Sequence, residues 1–99
     1  MKTIILAGGW GSRLGQLSDP IPKPMVYVGN RPILWHIMKI YSSYGFNEFV
    51  LALGVKSHVI KEYFYNFNIL NNDFTIELEN NEIFFHNNEK LKWKVTLVD

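Results

Sequence analysis

Three glycines within four positions, Gly8, Gly9 and Gly11, run directly into Ser12 and Arg13, and these are the residues of the 99-residue chain best suited to chemistry. Consecutive glycines let backbone N–H groups turn toward an anion and let the chain approach it closely. Arg13 adds a planar donor fork that matches phosphate oxygens. Ten residues further on, Lys23 stands between Pro22 and Pro24. Proline restricts its own φ and pushes the residue before it toward an extended conformation, so little entropy is lost in positioning this ammonium. The pattern reads as a grip on phosphate. Against it stands a plainer reading, a glycine-rich turn with solvated charges.

Two familiar phosphate motifs are excluded. No stretch has the P-loop spacing of a glycine, four residues and then Gly-Lys-Ser/Thr. The dinucleotide fingerprint G-x-G-x-x-G fails because Leu14 stands where the third glycine belongs. Hydride chemistry on a nicotinamide is therefore disfavoured. His36, His58 and His86 are isolated, with no partner at metal-ligand spacing, and no cysteine is present, so a zinc site is not expected. Trp10 stands at the variable position of the glycine run, where it stacks near a ligand or covers the sheet end.

The elements that must hold this loop follow from periodicity. Residues 2–7 form a continuous β-branched and aliphatic run, too short for a helix, which suits a parallel strand covered on both faces. Residues 8–24 are a long loop, of the kind that is usually functional or disordered. Residues 25–28 suit a short strand. A helix is expected next, with Asn30 as N-cap, Pro32 in its first turn and Gly45 as its left-handed stop. Its apolar positions are Ile33, Ile37, Ile40 and Tyr44, with Leu34, Met38 and Tyr41 beside them. Residues 49–53 are a second strand. Residues 56–67 are a second helix, with Val59, Ile60, Tyr63, Phe64 and Phe67 on one face.

Strand–helix–strand–helix at this spacing predicts βαβ units with right-handed crossovers. Asn pairs at 71–72, 80–81 and 87–88 then bracket the runs 74–79 and 82–86. Phe74, Ile76 and Leu78 alternate there with Thr75, Glu77 and Glu79, the patterning of a half-buried antiparallel hairpin inserted at about 73–87. Residues 94–98 return to the sheet. The expected class is α/β: a mostly parallel sheet with flanking helices and an inserted antiparallel hairpin.

Bulk properties narrow the partners. The formal net charge is +1, which provides no global field for nucleic acid or an anionic membrane. No apolar run approaches the ~20 residues of a membrane span. A cytoplasmic protein without disulfides is expected. Exposed sheet edges predict self-association into a homo-oligomer.

The order Leu6-Ala7-Gly8-Gly9-x-Gly11-Ser12-Arg13-Leu14, then Pro22-Lys23-Pro24-Met25, resembles the signature of the sugar-1-phosphate nucleotidyltransferases. The stretches 32–41, 59–64 and 93–99 are more specific and resemble the cytidylyl branch of that family. The resemblance covers essentially the whole chain. It implies a Rossmann-like nucleotidyltransferase fold and transfer of CMP from CTP to α-D-glucose 1-phosphate, giving CDP-glucose and pyrophosphate with magnesium. It implies that Leu6, Ala7, Gly8, Gly9, Trp10, Gly11, Ser12 and Arg13 surround the nucleotide. Arg13 would hold the pyrophosphate leaving group, and Lys23 would contact the reacting phosphates.

The sugar-phosphate oxygen attacks the α-phosphorus directly in this family, so no enzyme nucleophile is needed. Catalysis is then positioning plus charge stabilisation. Two departures stand out: Ile21 replaces a second family lysine, and residues 15–20 lack the family's acidic-Thr run. The chain reads as the N-terminal part of one longer domain. Metal-binding aspartates and most of the sugar pocket would lie beyond Asp99, so these residues alone should show little transfer. Two alternatives stay open: a nucleotidyltransferase for another sugar phosphate, and a non-catalytic module that binds nucleotide or self-assembles.

Overall fold

The computed structural model of the chain describes residues 2–8, 21–86 and 91–99. Its centre is a parallel sheet of three strands, β1 (Lys2–Leu6), β4 (Glu48–Ala52) and β7 (Lys94–Val98), in the order β1-β4-β7. Register runs Thr3 to Phe49 to Val95 and Ile5 to Leu51 to Leu97. Just beyond the strands, the Ala7 N–H donates to Ala52 O and the Leu53 N–H to Val98 O, both at 2.8 Å.

Helix α1 (Ile33–Ser43) joins β1 to β4, and α2 (Ser57–Tyr65) with α3 (Phe67–Asn71) precedes β7. The core holds Ile5, Phe49 and Leu51 from the sheet, Leu34 and Met38 from α1, and Ile60 and Tyr63 from α2. All three strands contribute to it from one face, with Val95 and Leu97 packed against it. The opposite face is exposed on β1, where Ile4 is 68% and Leu6 70% exposed, and half-exposed at Val50 and Ala52 of the central strand. This corrects the expectation that the first strand is covered on both faces. Two right-handed crossovers advancing in one direction place both helices on the same side. A continuous apolar run cannot report that, because Ile4 and Ile5 look alike in sequence.

Several local expectations change for identifiable reasons. Asn30 is not the N-cap of α1. Tyr27–Val28 (β2) pairs antiparallel with Arg31–Pro32 (β3) around a turn in which Gly29 has φ +69°. That pairing delays the helix to Ile33, behind Pro32, which makes no side-chain cap bond. The Ile33 N–H donates instead to Val26 O at 2.9 Å. Gly45 does end the helix in the left-handed region, at φ +90°. The buried stripe of α1 is Leu34 and Met38, while Ile40 and Tyr44 of the expected stripe are exposed.

The second helix is broken at Asn66 into α2 and α3. Its expected face holds, with Ile60 and Tyr63 buried and Val59, Phe64 and Phe67 packed beside them. Burial raises the Tyr63 phenol above its ordinary value, offset by a hydrogen bond from Asn71. The antiparallel hairpin is present as β5 (Phe74–Glu77) and β6 (Glu82–Phe85). Its turn takes residues 78–81, with Asn81 at φ 60°. Residues 78 and 79 thus belong to the turn. The half-buried patterning is also corrected: Phe74, Ile76 and Ile83 are about 40% exposed, and among the described residues none of the three belongs to the core or packs against it. The Asn pair at 87–88 lies outside the described residues.

Candidate nucleotide-phosphate site

The site is built where β1, β4 and β7 end. Open α/β sheets bind ligands beyond the carboxyl ends of their strands, because connecting loops converge there. Gly8 follows β1 by two residues, Gly54 follows β4 by two, and Asp99 follows β7 directly. The first two meet backbone to backbone. A Cβ added to Gly8 would lie 2.9 Å from both the Cα and the N of Gly54.

Gly8 was expected to be glycine for the sake of a ligand. The structure supplies a second reason, contact with the neighbouring strand's exit. The role of Gly54 is not readable locally: that a glycine follows each of two paired strands at the same offset is visible only once the strand pairing is known.

Of the expected site residues, Leu6, Ala7, Gly8 and Lys23 are described. Leu6 is the last residue of β1 and lies on the exposed face, whereas Ala7 is buried and continues the ladder to Ala52. Lys23 was expected to be extended, and this is corrected. It is the first residue of a 3-10 turn, Lys23–Met25, behind an extended Pro22. The Met25 N–H donates to Pro22 O at 2.9 Å and the Val26 N–H to Lys23 O at 3.1 Å. Pro24 and Met25 are buried while Lys23 is exposed. The backbone under Lys23 is thus anchored in the core and its ammonium stays in water, which preserves the pre-organisation expected of it by a different geometry. Gly9, Trp10, Gly11, Ser12 and Arg13 lie outside the described residues.

The third strand end carries an ion pair. Lys61 Nζ donates to Asp99 Oδ2 at 2.8 Å, with both side chains largely exposed. That hydrogen bond, with a further one from Ser57, holds the Asp99 carboxyl below its ordinary value. An exposed pair of this kind contributes little to stability; its geometric effect is to tie the exit of β7 to α2.

Lys56 is left-handed at φ 60°, ψ 37°, between Gly54 and α2, a conformation uncommon for a side chain of this kind. His36 Nε2 lies 2.9 Å from Val28 O, a contact that ties α1 to β2 and is far from ligand chemistry. A groove of about 690 Å³ opens along β7 between Phe64, Phe67, Trp93, Val95 and Leu97. It is mainly apolar, with Lys61, Glu62 and Asn68 also in its lining. Among the described residues no group of three His, Asp or Glu could hold a metal ion, and no helix is long and apolar enough to cross a membrane.

A parallel sheet with its helices on one face, glycines at two of its strand exits and an anchored lysine turn place the chain among the α/β proteins. The chain belongs to the nucleotidyl transferase family, whose profile matches residues 2–93. It is 48% identical over all 99 residues to the glucose-1-phosphate cytidylyltransferase of Salmonella typhimurium, covering 38% of that protein. It is 43% identical, again over all 99 residues, to the probable glucose-1-phosphate cytidylyltransferase of Bacillus subtilis, covering 39% of it. Over 64 residues it is 44% identical to the D-glycero-alpha-D-manno-heptose 1-phosphate guanylyltransferase of Campylobacter jejuni. That match takes in 65% of this chain and 29% of the guanylyltransferase. The chain therefore spans less than two fifths of the length of the cytidylyltransferases it matches.

Proposed function

We propose that this chain is the nucleotide-binding part of a cytidylyltransferase that moves CMP from CTP onto α-D-glucose 1-phosphate, releasing pyrophosphate and forming CDP-glucose. The observation that carries this reading is similarity along all 99 residues to two cytidylyltransferases, against only 64 residues for the guanylyltransferase. In this reading Leu6 to Arg13 surround the nucleotide, Arg13 holds the pyrophosphate leaving group and Lys23 meets the reacting phosphates. Nothing in the chain needs to act as a nucleophile, because the sugar-phosphate oxygen attacks phosphorus directly. The work of these residues is to bind and orient, which lowers the barrier by pre-ordering the reactants.

Magnesium is the proposed metal and would supply charge neutralisation on the phosphates. Among the described residues no group of three His, Asp or Glu would hold it, and magnesium commonly takes substrate phosphates and waters among its ligands. The proposed setting is the cytoplasm. We further propose self-association of the chain, supported by the sheet face exposed at Ile4, Leu6 and Val98.

Two measurements test these readings. CTP, titrated with magnesium into the 99-residue chain, should raise its melting temperature by several degrees, as a ligand well above its Kd does. Glucose 1-phosphate added with CTP should release pyrophosphate slowly or not at all. Absence of any shift at millimolar CTP would sink the nucleotide reading. Sedimentation should show dimers or larger species at high concentration, and a clean monomer would overturn the self-association.

A further inference from the structure

We propose that Gly54 is a positioning residue for the phosphate loop, acting through its backbone contact with Gly8. A Cβ on Gly54 would stand 2.9 Å from Gly8 Cα and 3.2 Å from Gly8 O. Neither glycine has a left-handed φ; among the described glycines that belongs to Gly29 and Gly45. What the position requires is the absence of a side chain, not conformational freedom. The obstructing atoms are main chain, so no side-chain rotation relieves the clash and one strand exit must move.

Which exit moves follows from how each strand is held. β4 is the central strand, hydrogen-bonded on both sides, and its Phe49 and Leu51 are fully buried. Among the described residues β1 is paired with β4 alone, and its Ile4 and Leu6 are exposed. A methyl group at position 54 therefore displaces Gly8, the residue through which the chain passes into Gly9. N–H donors need their acceptor within a few tenths of an ångström and near-linear geometry, so in the nucleotide reading a displacement there would weaken the hold of the loop on phosphate. Gly54 sets the starting point of that backbone without touching the ligand. Only the affinity arm of the test rests on the nucleotide reading above.

The test compares Gly54→Ala with Ile60→Val, a core variant that lowers stability elsewhere, both in the complete 99-residue chain. Two quantities are read: the amide NMR shifts of Ala7 and Gly8, and CTP affinity by calorimetry. Gly54→Ala should move the Gly8 amide and weaken CTP binding roughly tenfold or more. Ile60→Val should melt earlier with an unmoved Gly8 amide and unchanged affinity. An alanine variant with native Gly8 shift and native affinity overturns the proposal.

If the wild type does not bind CTP, the nucleotide reading fails and the Gly8 amide alone decides: a moved amide upholds the positioning role, an unmoved one ends it. Both variants are also measured with added sucrose, which favours the compact state. If Gly54→Ala is unfolded even then while Ile60→Val is folded, the contact serves the fold and not the loop, and the proposal falls.

Discussion

Phe49→Ala is expected to destabilise this protein by about 3–5 kcal/mol, the usual cost of emptying a buried phenylalanine site. Phe49 is fully buried on the central strand, and its ring meets Trp93 edge-on with centroids 5.6 Å apart. It joins the α1 side of the core to β7, so its loss opens space that no single element can collapse into. A domain of this size has a total stability of only roughly 5–15 kcal/mol. At about 4–8 °C per kcal/mol, the melting temperature should fall by roughly 15 °C or more in a circular dichroism melt. Ile4→Ala provides the contrast. Ile4 lies on the neighbouring strand but is 68% exposed in the single chain, so at dilutions that keep the chain monomeric its removal should stay within about 0.5 kcal/mol of wild type. Equal losses for the two variants would mean that both sheet faces are covered.

Arg13→Ala should abolish the CTP-induced rise in melting temperature. A charge-assisted hydrogen bond contributes about 1.5–3 kcal/mol, and at 1.4 kcal/mol per decade that is roughly a tenfold to hundredfold loss of affinity. A ligand near saturation would drop to partial occupancy, and its stabilisation would largely vanish. Lys94→Ala is the control. Lys94 opens β7 at the sheet end away from Gly8, in a loose pair with Glu48 at 3.8 Å. Removing it lowers the net charge by the same unit without touching the site. If both variants lose the shift equally, CTP is held by general attraction to a basic protein; if neither does, Arg13 is not a phosphate ligand. The comparison separates a built site from a charge count.

The class of fold was legible in the residues. Alternating apolar runs of strand and helix length, with Gly45 closing the first helix, lead to a βαβ sheet. A glycine run after the first strand can only lie at that sheet's carboxyl edge. These are local signals, carried by neighbours in sequence. The anchored lysine was also legible in outcome, since two prolines restrict the backbone whichever conformation it takes. Its geometry was not, because burial of Pro24 and Met25 against α1 selects the 3-10 turn over the extended form.

Other features are settled by packing between segments far apart in the chain. Ile4 and Ile5 are adjacent and chemically identical, yet one is exposed and the other buried. Which is which depends on the side the crossover helices take, and handedness fixes that only once strand order is known. In the same way Gly8 and Gly54 read as two separate turn glycines. That each must lack a Cβ because of the other follows from strand register, a relation across 46 residues that no local pattern in the chain encodes.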